Sequence, residues 1–172
     1  MQTEIGRGRF LALLTKDSYE YVTRIRGTIA VGIVAVNAHD ELLLVEQPRV
    51  PLGKHVIEIP AGLVGDHDRS EAWQVAAARE LLEETGHQAE RFELLTGGPT
   101  SAGLTDEQVL LVRAIGVKHV GEVTGDGHEQ ITLHRVKLAE VGAFLAKRFA
   151  AGTPIDAKVY AALYFISANG GR

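Results

Sequence analysis

Apolar residues recur at strand spacing in eight stretches of this chain. Some stretches alternate apolar and polar residues, as a strand buried on one face does, and others are almost wholly apolar, as a strand buried on both faces is. The polar residues 16–18 predict a hairpin turn between the first two stretches. The predicted strands are residues 10–14, 19–26, 28–36, 41–46, 56–59, 91–95, 108–117 and 129–136.

Three further stretches have the helical period. The first follows Ser70, a residue typical of helix N-caps, and stops before Gly86, a residue typical of helix ends. The other two cover residues 141–150 and 155–168. Strands interleaved with helices predict the α/β class, with a mixed sheet that is covered on both faces.

Length and composition predict a single domain over residues 1–172. Of these residues 45% are hydrophobic and 23% are charged, and the absence of cysteine excludes disulfides and thiolate chemistry. The first residues lack the apolar core of a signal peptide, and no uncharged run is long enough to span a bilayer. We therefore expect a cytoplasmic protein without a membrane partner. The formal charge of −4 argues against nucleic acid as a partner.

An acidic cluster lies at the end of the first predicted helix. At about 3.6 residues per turn, Glu80, Glu83 and Glu84 project from one face. Like charges one turn apart repel unless a cation lies between them, and magnesium prefers oxygen ligands. The cluster predicts a site for Mg²⁺, with Mn²⁺ as an alternative, and a solvated acidic face is the simpler interpretation. The opposite, core-facing side is expected to carry Ala78, Leu81 and Leu82.

The spacing of these residues resembles the sequence motif of the Nudix hydrolases. The motif requires a bulky aliphatic residue last, where this chain has His87, and every other fixed position agrees. The resemblance implies an α/β/α sandwich that hydrolyses a nucleoside diphosphate linked to another group. The match reads Gly65-x5-Glu71-x7-Arg79-Glu80-Leu81-Leu82-Glu83-Glu84-Thr85-Gly86-His87.

Residues ahead of the motif resemble one subfamily, the ADP-ribose and ADP-sugar pyrophosphatases. Glu58-Ile59-Pro60-Ala61-Gly62 is similar to a strand end in which the alanine carbonyl binds metal together with the motif glutamates. The resemblance therefore implies Ala61, Glu80, Glu83 and Glu84 as metal ligands. Gly62 lies three residues ahead of Gly65, which we interpret as a small insertion, residues 65–69, within a polar loop, residues 61–69. Glu58 is expected to contact metal or substrate, or to pair with Arg79.

Two other segments carry candidate substrate-binding residues. Glu46-Gln47-Pro48-Arg49 resembles a subfamily pattern in which the arginine contacts substrate, and a solvent-facing Arg49 is the alternative. Arg26 is a weaker candidate for nucleobase contact. Residues 100–107 resemble a Ser-Pro-Gly-x-x-x-Glu loop, with Ala102 in place of the proline, followed by Gly103 and Glu107. Glu107 is interpreted as a metal or water ligand, or as an ordinary carboxylate at a strand start.

Hydrolysis also requires a group that deprotonates or orients water. In relatives this base often comes from a glutamate in a mobile loop beyond the motif, and Glu129 occupies that position. Glu84 is the rival base. Arg79 is expected to orient the motif glutamates through internal salt bridges.

These features predict a magnesium-dependent hydrolase of nucleotide sugars, with ADP-ribose converted to AMP and ribose 5-phosphate. Cleavage of GDP-mannose or another nucleotide sugar, cleavage of oxidised nucleoside triphosphates, and ligand sensing without turnover remain alternatives. The resemblance also implies a homodimer. In that assembly the N-terminal strands, within residues 1–26, help to build the partner's site.

Overall fold

The computed structural model describes residues 1–66, 68–124 and 130–168. The helices are α1 (Trp73–Thr85), α2 (Val141–Ala150) and α3 (Ala157–Ala168), with short 3₁₀ turns at Val50–Leu52 and Leu138–Glu140. The strands are β1 (Gln2–Arg7), β2 (Leu11–Lys16), β3 (Tyr19–Arg24), β4 (Ile29–Asn37), β5 (Glu41–Arg49), β6 (Lys54–Glu58), β7 (Ala61–Leu63), β8 (His87–Gln88), β9 (Arg91–Pro99), β10 (Gln108–His119) and β11 (Thr132–Lys137).

Eight strands form one mixed sheet. Its main order is β11-β5-β4-β10-β8, and β6, β7 and β9 pair with β5, β4 and β10 respectively. The β4–β10 pair is parallel and the other pairs are antiparallel. The predicted mixed sheet is confirmed.

The sheet separates two apolar cores. Side chains of β4 alternate between its faces, so that Val31 and Ile33 pack with α1, whereas Val34 packs with α2 and α3. Leu43 and Leu44 of β5 divide in the same way. Because one helix covers one face and two helices cover the other, the predicted α/β/α sandwich is confirmed.

The N-terminal strands form a separate antiparallel sheet in the order β1-β2-β3. The predicted hairpin of β2 and β3 is confirmed, and β1 is an additional strand that the sequence did not predict, since all six of its residues are exposed. The backbone N–H of Val22 donates to the carbonyl of Leu104 at 2.8 Å, and Thr23 Oγ1 donates to Asp106 Oδ2 at 2.9 Å. This sheet is therefore attached to the loop 100–107 of its own chain.

Three local predictions were wrong. Ser70 is not the N-cap of α1, because its hydroxyl donates to Asp68 Oδ1 at 2.8 Å and the helix begins at Trp73 after Ala72. The predicted polar loop 61–69 contains β7, which β4 holds in the sheet. The last predicted strand begins at Thr132, and its predicted first residue lies outside the described part of the chain.

The predicted orientation of α1 was also wrong. Leu81 is buried as expected, but Ala78 is exposed and Leu82 is 36% exposed. The buried face includes Ala76, Ala77, Leu81, Glu84 and Thr85 instead. The helix thus turns the carboxylate of Glu84 inward, since the acidic face lies against β7 rather than toward open solvent.

None of the described helices combines the length and apolar character needed to cross a bilayer.

His87, the residue that departs from the sequence motif, is buried directly after α1. Its Nδ1 donates to the Thr85 carbonyl at 2.7 Å, and its ring lies 5.1 Å from that of His119, centroid to centroid. Burial lowers the pKa of His87 below 6.5, and Arg135 and His119 act in the same direction, against the hydrogen bond to Thr85.

We expect His87 to make the stability of the protein depend on pH. Its contribution is complete above pH 6.5 and is lost as the pH falls from 6.5 through the folded-state pKa, because the unfolded chain then binds a proton that the folded chain rejects. His87→Leu should lose less stability between pH 7.5 and 5.5 in urea unfolding than the native chain. The exposed His55→Gln is the control, and an equal loss in native chain and His87→Leu would contradict the assignment.

Candidate active site

An open cavity of about 790 Å³ lies where α1, α3 and the two sheets meet. Its middle is formed by Ala30 of β4 and by Ala61–Leu63 of β7. Because β5 and β10 lie on opposite sides of β4, the cavity has two ends. Arg49 and Glu58 line the β5–β6 end, and the loop 100–107 lines the β10 end. The lining of the cavity is rich in charged side chains, and two of its carboxylates come from α1.

Arg79 connects the acidic residues of α1. Its Nη1 donates to Glu80 Oε1 at 2.6 Å and to Glu83 Oε2 at 3.3 Å. Its Nε lies 3.3 Å from Glu71 Oε1, and its Nη2 donates to the Leu63 carbonyl at 3.2 Å. Burial opposes the charge of Arg79, but Glu80 and Glu71 outweigh it and raise the pKa of the guanidinium. Arg79 therefore stays charged and fixes the carboxylates relative to β7.

Glu84 and Glu71 fix the segment around β7 through backbone N–H groups. Glu84 is 2% exposed, and its Oε2 accepts the N–H of Ala61 at 2.9 Å. Glu71 Oε2 accepts the N–H of Gly65 at 2.9 Å. Both ends of this segment are thus hydrogen-bonded to carboxylates of the sequence motif.

The carboxylates of α1 and the backbone carbonyls of β7 suit a hard divalent cation, since such oxygen atoms are its preferred ligands. Gly62 permits the close approach, because a Cβ there would lie 1.8 Å from Glu80 Oε1. Within residues 1–66, 68–124 and 130–168, however, no three acidic or histidine side chains are arranged as a ready metal site. The reason is that Arg79 contacts Glu80 and Glu83, while Glu84 is turned to the Ala61 N–H.

Arg49 and Glu58 form an ion pair at the β5–β6 end. Arg49 Nε donates to Glu58 Oε1 at 2.9 Å, Arg49 Nη2 contacts Glu58 Oε2, and Gln47 Nε2 donates to Oε2 at 3.2 Å. The alternative pairing of Glu58 with Arg79 was wrong, because Glu58 forms its ion pair with Arg49 at the end of β5, the strand next to β6. Glu58 is 5% exposed, so this pair holds Arg49 at the cavity wall.

The β10 end combines a predicted residue with one that sequence reasoning missed. Glu107 lines the cavity and pairs with Arg24 of β3. Arg26 is exposed and lies outside the cavity lining. Strand β3 ends at Arg24, so the alternation that would place both arginines on one side stops there.

The remaining predicted residues lie elsewhere. Ala102 and Gly103 line a second cavity of about 420 Å³ next to Tyr19 and Tyr21. Glu129 lies outside the described residues. Lys158 of α3 lines the main cavity and was also missed, since it belongs to no motif and its position depends on long-range packing.

Fold and site together define an α/β/α domain in which a carboxylate-bearing helix borders an open cavity. The family described as "NUDIX domain" matches residues 27–163, and the β1–β3 sheet lies outside this match. The chain belongs to the Nudix family.

The chain is similar to a methanol dehydrogenase activator and to several ADP-ribose pyrophosphatases. Over 72% of this chain and 66% of its own length, the methanol dehydrogenase activator of Bacillus methanolicus is 34% identical. The ADP-ribose pyrophosphatase of Bacillus subtilis (strain 168) is 39% identical over 46% of this chain and 42% of its own length. The chain thus spans from under half to about two thirds of these curated relatives.

A solved structure described as an ADP compounds hydrolase has the same fold. Its TM-score is 0.72 at 20% identity, and the match covers 100% of this chain and 95% of that one. Because the match includes residues 1–26, the fold likeness extends to the N-terminal sheet.

Proposed function

We propose that this protein is a magnesium-dependent hydrolase that cleaves the diphosphate of a nucleoside diphosphate sugar, with ADP-ribose as the favoured substrate. The observation that carries the proposal is the pair of α1 carboxylates, held by Arg79, in a cavity that has an arginine on either side of them. Such a cavity suits a molecule with a central diphosphate and a group on either side. The name of the Bacillus subtilis relative supports the choice of ADP-ribose.

Glu80, Glu83 and Glu84, with the carbonyl of Ala61, would hold the metal. When bound, Mg²⁺ supplies Lewis-acid polarisation of diphosphate oxygens. Glu80 and Glu83 would exchange their contact with Arg79 Nη1 for the cation, and Glu71 and the Leu63 carbonyl would keep the guanidinium in place. Arg79 is then a positioning residue, while Arg49 and Glu107 contact substrate at the two ends of the cavity.

The base that activates water is proposed to be Glu129, with Glu84 as the rival. Glu84 already accepts the Ala61 N–H, which gives it a structural role. Glu129→Gln should lower kcat with little change in KM, because a base acts mainly in the transition state. A change in KM alone would make Glu129 a binding residue and leave Glu84 as the base.

A substrate panel tests the proposed function. Purified protein with Mg²⁺ is assayed against ADP-ribose, ADP-glucose, GDP-mannose and NADH, and the products are identified. We expect AMP and ribose 5-phosphate from ADP-ribose at the highest kcat/KM. Preference for GDP-mannose would move the protein to another group of nucleotide sugars, and absence of turnover with all four would favour a ligand-sensing role.

We also propose a homodimer. The N-terminal sheet and the turn between its first two strands carry exposed apolar side chains that a second copy would cover, among them Ile5, Phe10 and Leu11 at 50%, 66% and 45% exposure. Arg24 of this sheet lines the cavity of its own chain, so any residue given to the partner's site must come from other positions. Light scattering should give twice the 18.6 kDa chain mass, and a fully active monomer would contradict the proposal.

A further inference from the structure

The first turn of α3 brings a lysine to the β5–β6 end of the cavity. The Ile57 N–H donates to the Pro154 carbonyl at 3.0 Å, and the Asp156 N–H donates to the Ile57 carbonyl at 2.9 Å. Ile57 directly precedes Glu58 in β6. These two bonds therefore fix the start of α3 beside the Arg49–Glu58 pair, and Lys158 lines the cavity from there.

The position of Lys158 is unfavourable for the helix itself. A cation in the first helical turn meets the positive end of the helix dipole. Asp156 offsets this cost, because its Oδ1 accepts the Lys158 N–H at 2.7 Å and its Oδ2 accepts from Nζ at 2.8 Å. Both side chains are partly exposed, at 29% and 24%, and such pairs contribute little stability. Helix stability does not explain the lysine.

Lys158 also differs from the other cations of the cavity. In the part of the chain that the structure describes, four cationic side chains line it. Arg24, Arg49 and Arg79 each contact a carboxylate that lines the same cavity, namely Glu107, Glu58 and Glu80. The contact of Lys158 with Asp156 is with a residue outside the lining. Lys158 therefore adds a positive charge to the cavity. Among the described residues this charge is paired with Asp156, which lies outside the lining, and not with the carboxylates that line the cavity.

We propose that Lys158 is a substrate-binding residue that contacts phosphate oxygens of the substrate from the β5–β6 end, after exchanging Asp156 for them. The ammonium group of lysine is a compact charge on a flexible side chain. It can exchange partners more readily than the planar guanidinium of arginine, whose donors have a fixed geometry. The proposal rests on the proposed function for the choice of a diphosphate as ligand.

Binding of ADP in the presence of Mg²⁺, measured by calorimetry, tests the role without turnover. Lys158→Met keeps the aliphatic stem and removes the charge, so the Kd for ADP should rise roughly tenfold, the loss expected for one charged hydrogen bond. With the hydrolysed substrate, KM should rise similarly while kcat changes less than about threefold, since the contact persists from ground state to transition state. Lys147→Met, on the exposed side of α2, is the matched control and should bind ADP as the native protein does.

Asp156→Asn is expected to change the Kd for ADP in the opposite direction. Asparagine retains the helix-capping oxygen but releases the lysine, so ADP should bind about two- to threefold more tightly. An unchanged Kd in a folded Lys158→Met variant, weaker binding in Asp156→Asn, or no binding of ADP to the native protein would overturn the assignment. Failure of the native protein to hydrolyse ADP-ribose while it binds ADP would count against the proposed function alone.

Discussion

Glu83→Gln is expected to abolish most activity while the protein stays folded. Glu83 lines the cavity, and its side chain is 34% exposed, so loss of its charge leaves little unpaired in the interior. Arg79 keeps Glu80 and Glu71 as partners. Because the amide cannot balance the charge of a divalent cation, kcat should fall on the order of 100-fold or more.

Steady-state kinetics with Mg²⁺ measure the loss of activity, and the circular dichroism spectrum shows whether the variant is folded. Glu93→Gln is the matched control, since Glu93 is a half-exposed carboxylate of β9 that pairs with Arg91 away from the cavity. Its kcat should equal that of the native chain. Near-native kcat in Glu83→Gln would remove Glu83 from the metal site.

Gly86→Ala is expected to have the largest effect on stability. Gly86 ends α1 at φ 66°, a left-handed conformation that costs an L-residue about 1–2 kcal/mol. An added Cβ would also lie 2.0 Å from the carbonyl oxygen of Gly121, a backbone atom that cannot rotate away. The N–H groups of Val120 and Gly121 both donate to the Gly86 carbonyl, so the two segments cannot separate without losing bonds.

The free energy of unfolding should fall by about 3 kcal/mol or more, as urea titration would show. Gly142→Ala is the control, because Gly142 lies in the first turn of α2, has no positive φ and has open space at its Cβ position. That variant should gain about 0.5–1 kcal/mol from the greater helix preference of alanine. Equal stability of native chain and Gly86→Ala would show that the α1 end tolerates rearrangement.

Local patterns predicted the elements whose cause is local. Helix α2 spans the predicted residues, and α1 stops at Gly86, where only glycine fits easily. The start of α1 was misplaced because Ser70 and Asp68 form a local turn that competes with capping. Strand β7 was missed because three residues carry no period, and its pairing with β4 depends on the sheet as a whole.

For the site, too, the sequence indicated contacts within one helix but not contacts between distant segments of the chain. The motif correctly anticipated that Arg79 would join the glutamates, since all of them lie within two turns of one helix. It gave no indication of Arg24 or Lys158, whose places depend on contacts between β3 and the loop 100–107 and between β6 and α3. Sequence reasoning also took Glu58 and Arg49 as separate candidates, whereas the pairing of β5 with β6 puts both side chains on one face of the sheet, where they form an ion pair.

The parallel pairing of β4 with β10 has a consequence for how the chain folds. Its register joins Ile29 to Gln108, residues 79 positions apart (108 − 29). During synthesis the apolar β4 therefore emerges long before its partner, and pairs of such separation form slowly because loop closure precedes any gain in contacts. Until β10 arrives, one edge of β4 has no neighbour in the sheet. In the interval between these two strands the nascent chain therefore presents an unpaired edge of an apolar strand, which favours aggregation.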